Sequence, residues 1–109
     1  YFSSYSISEP GGTFLFKNSA FGEIDFLEPI SGAGLFNSDV AIKNNLAVIN
    51  SDFNKGINKS AQITLLRLSL TSEPIILRNG KRCDKCVLIS QTKNTIIFKV
   101  PGEGNYSIA

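Results

Sequence analysis

The apolar residues of this chain fall in short runs broken by Gly, Pro, Asn and Ser, and nowhere do they recur at helical spacing over a useful length. The pattern is clearest between residues 62 and 108. Gln62-Ile63-Thr64-Leu65-Leu66-Arg67-Leu68 and Pro74-Ile75-Ile76-Leu77-Arg78 are short, apolar and rich in β-branched residues, with turn formers at their ends, which predicts strands. Asn79-Gly80 then predicts a type I′ hairpin, because both residues tolerate positive φ. Lys81-Arg82 is the brief returning arm. Val87-Leu88-Ile89 and Thr95-Ile96-Ile97-Phe98-Lys99-Val100 read as two further strands with a polar turn at residues 91–94, and Asn105-Tyr106-Ser107-Ile108 closes the stretch.

The first half follows the same grammar. Residues 1–8 alternate Tyr1, Ser3, Tyr5 and Ile7 against Phe2, Ser4, Ser6 and Ser8, a period of two that predicts a strand with one wet side. Glu9-Pro10-Gly11-Gly12 ends it. Residues 13–17 predict a central strand, and residues 21–28 a strand whose acidic face is solvated, closed by Pro29. Val40-Ala41-Ile42-Lys43 and Leu46-Ala47-Val48-Ile49 flank Asn44-Asn45 as a second two-residue hairpin. Residues 50–60 read as a long surface loop pinned by Phe53 and Ile57.

Eight or nine short strands with no helix predict an all-β fold, an antiparallel β-sandwich of immunoglobulin-like architecture. The expected core is Phe14, Phe16, Ile24, Phe26, Val40, Ile42, Leu46, Val48, Ile63, Leu65, Ile75, Leu77, Leu88, Ile96, Phe98, Val100 and Tyr106.

Composition narrows the function. At 109 residues the chain makes one domain, and 42% hydrophobic with only 18% charged residues excludes a disordered chain. A net charge of +2 with scattered Lys and Arg gives no case for nucleic acid, and no apolar run is long enough for a membrane span. Without an initiator Met or a signal peptide, the chain reads as a mature fragment or an excised domain. With no His there is no imidazole base and no His metal ligand, and two cysteines cannot close a four-ligand site. We therefore expect no catalytic residues, no metal and no cofactor. Glu23, Asp25 and Glu28 are the carboxylates left for an enzyme reading; Glu23 and Asp25 share a strand face, and a solvated face accounts for both. Ser31-Gly32-Ala33-Gly34 has no following helix and is no phosphate cradle.

Cys83-Asp84-Lys85-Cys86 admits a redox pair, half of a metal knuckle, or a local disulfide. Strand flanks favour the disulfide, which would hold one turn near a sheet edge and place the domain outside a reducing cytosol, or in a hyperthermophile. Asn58-Lys59-Ser60 and Asn105-Tyr106-Ser107 are Asn-x-Ser sequons, so Asn58 and Asn105 are candidate N-glycosylation sites; Asn58, in the polar loop, is expected to be the more accessible.

Set in order, Asn58, Ala61, Ile63, Thr64 and Leu65, then Ile76, Leu77, Gly80 and Cys83, then Cys86, Phe98 and Val100, and finally Tyr106, Ser107 and Ile108 form a pattern. It resembles a β-sandwich domain of exported archaeal surface and filament-type proteins over about the last fifty residues. The family's closing Phe-Ser-x-Tyr stands here as Gly102-Glu103-Gly104-Asn105-Tyr106. Phe2-Ser3-Ser4-Tyr5-Ser6-Ile7 also looks like the family's final strand, one domain length earlier. Residues 1–8 are then left from a preceding tandem copy, or are a strand donated to a neighbouring subunit, or echo the motif by chance; residues 9–109 are the sandwich domain.

The resemblance implies an extracellular, cell-surface structural protein, a filament (pilus-like) subunit or a repeat of a larger surface protein, with Tyr1, Phe2, Tyr5 and Ile7 at the subunit contact. Its partners would be copies of itself, head to tail, or tandem neighbouring domains, with a glycan. The alternative is a carbohydrate-binding or adhesin module using exposed aromatics, for which Tyr1, Phe2, Tyr5, Phe21, Phe36 and Phe53 are candidates.

Overall fold

The computed structural model of the chain describes residues 6–8, 15–28, 40–51, 55–70 and 73–109. Among them run eleven strands: β1 (Ser6–Ser8), β2 (Leu15–Asn18), β3 (Gly22–Phe26), β4 (Val40–Lys43), β5 (Leu46–Ile49), β6 (Ala61–Leu65), β7 (Ile76–Arg78), β8 (Lys81–Arg82), β9 (Val87–Gln91), β10 (Ile96–Val100) and β11 (Gly104–Ile108). A 3-10 turn, Lys55–Ile57, precedes β6. Sheet A has the order β1-β2-β3-β6-β10-β9 and sheet B the order β4-β5-β11-β7-β8, with every pairing antiparallel. The expected sandwich is present. Its strands outnumber the eight or nine anticipated.

Alternation closes the two layers. In β3, β6, β10 and β11 every second side chain is buried, so one face of each strand enters the core while the other stays wet. Phe16 and Phe26 meet edge to face within sheet A, with ring centroids 5.7 Å apart. Phe98 of sheet A and Tyr106 of sheet B meet similarly at 6.3 Å and tie the layers together. Ile57, fully buried, pins the residue 50–60 segment as expected; Phe53, like Phe14, lies outside the described residues.

The turn chemistry explains the hairpins. Asn79 and Gly80 both take positive φ, 53° and 81°, and reverse the chain between β7 and β8. At Asn44-Asn45 only Asn45 does so, at 53°. Its side-chain amide then acts as a short piece of strand: Nδ2 donates to the Ile108 carbonyl at 2.9 Å and Oδ1 accepts from Ile108 N–H at 2.8 Å.

Five core expectations are corrected. Leu46 and Val48 are only half-buried, and Ala47 and Ile49 go inward instead. The reason lies in the register: Ile42 is opposite Ala47 and Val40 opposite Ile49, and directly paired residues share a face. Ile75 is exposed and Leu77 half-buried, because Ile76 is the residue of that segment packed on the core. Leu88 is 45% exposed on an edge strand. The strand expected over residues 62–68 also ends sooner, at Leu65, since Arg67 turns to φ 57°.

Candidate functional site

The four sheet edges differ in chemistry. Sheet B ends on β8, two exposed cationic residues, and on β4, which carries Lys43. Charges of this kind oppose strand addition. Sheet A ends on β1, Ser-Ile-Ser, and on β9, Val-Leu-Ile-Ser-Gln, neither with a charge or a proline. In β9 the consecutive residues Val87, Leu88 and Ile89 are 57%, 45% and 51% exposed. Lys99 pairs with Val87, Phe98 with Leu88 and Ile97 with Ser90, so Ile89 is the extra residue of a β-bulge with no cross-strand partner. Sequence reasoning placed Leu88 inside. The available signal was three apolar residues in a row, without the alternation that a one-sided strand shows.

The cysteines connect the two edges. Cys83 N–H donates to the Ile76 carbonyl at 2.9 Å, continuing the β7–β8 ladder by one residue, and the chain then crosses from sheet B to sheet A within residues 83–87. Cys83 and Cys86 are disulfide-bonded across this passage, Cα atoms 5.4 Å apart, and both pack half-buried against the core. The expected local bond is present.

A second cluster gathers around residues 101–104. Tyr106 is fully buried, and its hydroxyl donates to the Gly102 carbonyl at 2.7 Å and lies 3.2 Å from that of Glu103. Arg78 donates through Nε and Nη2 to the Glu103 carbonyl at 3.0 and 2.7 Å. Glu103 N–H donates to Asn58 Oδ1 at 2.9 Å, and the hydroxyl of buried Ser51 donates to the Glu103 carboxylate. Burial pushes the Tyr106 phenol above its ordinary value, against the pull of Arg78 and of its own hydrogen bond. Beside this cluster, on the outer surface, Asn50, Arg78, Asn79, Glu103 and Asn105 line an open polar crevice of about 370 Å³.

The sequence candidates separate across the molecule. Asn58 is exposed, but its Oδ1 is engaged by Glu103; Asn105 is exposed on β11. Tyr1, Phe2 and Tyr5 lie outside the described residues, as do Phe36 and Phe53. Ile7 sits in β1 opposite Phe16 of the same chain. Phe21, the one aromatic of that set described, packs against the core rather than forming a platform. Glu23 and Asp25 are half-buried on the outer face of sheet A, where burial raises Asp25. Glu28 instead accepts from Ser60, hydroxyl at 2.7 Å and backbone N–H at 3.0 Å, and those two bonds lower its pKa. Among the described residues, no three of His, Cys, Asp and Glu gather as a metal site would require.

No protein-family model and no curated protein sequence matches the chain. The fold is similar to that of the C-terminal domain of the nuclear pore complex component NUP116 from Candida glabrata, with a TM-score of 0.65 over 92% of this chain and 90% of that one. At 14% identity, this likeness speaks for the sandwich alone.

Proposed function

We propose that this chain is a non-catalytic structural domain of an extracellular surface assembly, a pilus-like filament subunit or a surface-protein repeat that joins its neighbours along sheet A. The uncharged, apolar and exposed edge β9 carries this reading. An open edge offers unpaired main-chain donors and acceptors to an added strand, and Val87, Leu88 and Ile89 supply apolar contact. The occupant is the N-terminal strand of a second copy. Residues 1–8 have the period-two pattern of a strand, and β1 lies at the opposite edge of the same sheet. Joining one edge to the other is a heterologous contact, which propagates head to tail. The disulfide and the resemblance of residues 58–108 to exported surface domains support an extracellular setting.

Electron microscopy of the purified protein tests this, alongside a deletion of residues 1–8 and an Ile89→Lys variant. Fibres of the unaltered protein that disappear in both variants are expected. Ile89 is exposed, so its replacement leaves folding intact and reports on the edge alone. Monodisperse particles in all three samples would overturn strand joining and direct attention to the carbohydrate-binding alternative.

A further inference from the structure

The Asn105 sequon and the polar crevice lie at the same place, on the outer face of sheet B, and the strand-joining reading uses neither. In β11, Asn105 is exposed, Tyr106 buried and Ser107 half-buried. The Asn105 main chain is held on both sides by Asn79, its N–H donating to Asn79 Oδ1 at 3.0 Å and its carbonyl accepting from Asn79 N–H at 2.9 Å. The Asn105 side-chain amide makes no hydrogen bond among the described residues. Asn58 differs, because its side chain braces the residue 101–104 turn, and an added Cβ at Gly102 would fall only 2.2 Å from Asn58 Oδ1.

The crevice selects a chemistry. Its Arg78 and Glu103 carry opposite charges, so it favours a neutral occupant over an anion or a cation. The Asn105 amide offers both a donor and an acceptor, and Asn79 Nδ2 a further donor beside its engaged Oδ1, which suits hydroxyl groups. Ile49, the apolar residue of the lining, is itself buried, which leaves little for a lipid chain. The volume of about 370 Å³ sits at the small end of ligand clefts. A neutral polyhydroxylated group of one or two rings meets these conditions. Held in an open crevice such a group would bind weakly when free, whereas attachment at Asn105 would keep it at a high local concentration.

We propose that Asn105 carries an N-linked glycan and that its first saccharide lies in this crevice against Arg78 and Asn79. The proposal rests on the extracellular reading above. Transfer forms a bond between Asn105 Nδ2 and the anomeric carbon of the sugar and breaks that carbon's bond to oxygen in a polyisoprenyl-diphosphate-linked oligosaccharide. The lipid diphosphate leaves, and the amide gives up one proton.

The test is mass spectrometry of the protein purified from its own cells without reduction. The tryptic peptide that begins at Val100 and contains Asn105 is expected to carry saccharide mass that is lost in Asn105→Gln. Proton NMR of the intact glycoprotein is expected to give Overhauser contacts between the first sugar and the Arg78 and Asn79 side chains. A bare peptide at Asn105 overturns the proposal, and a modified peptide with no such contacts overturns the seating of the sugar. If the bare peptide comes with an intact Cys83–Cys86 bond, the glycan alone is refuted; if it comes with two free thiols, the extracellular reading fails as well.

Discussion

Gly22 makes the sharpest test of how the sheets are assembled. It opens β3 with φ at +142°, opposite Leu65 of β6, and a Cβ built there would lie 1.9 Å from the Thr64 carbonyl oxygen and 2.9 Å from its carbon. Both atoms belong to the backbone of an interior strand, so no side chain can swing aside. Gly80 is the natural control. Its φ is +81°, yet an added Cβ meets nothing within 4 Å.

Gly80→Ala therefore carries only the conformational penalty of a left-handed residue, about 1–2 kcal/mol. Gly22→Ala adds overpacking against β6, which brings the expected loss to about 2–5 kcal/mol. For a domain of this size, that separates the variants by roughly 4 °C in Tm for each kcal/mol of difference. Urea unfolding followed by far-UV circular dichroism and by tyrosine fluorescence measures both. Buried Tyr106 makes the fluorescence a probe of the core. Equal losses in the two variants would refute the close approach of β3 to β6, and with it the register that sets Gly22 against Leu65.

Removing the Tyr106 hydroxyl in Tyr106→Phe leaves the Gly102 carbonyl without its donor while Glu103 keeps Arg78, so a loss of about 1–2 kcal/mol is expected in urea titrations at neutral pH. Because the folded phenol titrates above its ordinary 10.0, its contribution is full below pH 10.0 and declines as pH rises through the folded value; the Phe variant should lose this alkaline limb. Replacing both cysteines by Ser releases a four-residue loop and should lower stability by about 2 kcal/mol by the chain-entropy relation, with no change if the bond does not restrict the unfolded chain. Glu28, whose pKa is lowered by Ser60, adds stability above its ordinary 4.5 that is lost as pH falls through the lower folded value; Ser60→Ala should lower the neutral plateau and flatten that acid limb, so that the variant and the unaltered protein converge at low pH.

What could be read from the sequence was local. The Asn79-Gly80 turn is written in two residues whose φ tolerance is their own, and two cysteines three apart have one simple way to bond. The sandwich followed from the spacing of such turns. Facts that depend on which strand lies beside which were not legible. The inward face of β5 was misassigned although a two-residue hairpin pairs Ile42 with Ala47, a constraint contained in the turn itself. Leu88 looked like core because an apolar run reads the same on an edge strand as on a central one. The polar crevice brings together residues from three separated parts of the chain, Asn50, Arg78 and Asn79, and Glu103 to Asn105, and no spacing rule connects them.

The six strands of sheet A have a geometrical consequence for an assembly in which copies join edge to edge. Each copy would advance the shared sheet by six strand spacings, about 29 Å, and rotate it by six interstrand twists, roughly 120–150°. Such a sheet would wind as a helical ribbon with roughly two and a half to three copies per turn, and its diffraction would combine a strand-spacing reflection with a subunit repeat about six times longer.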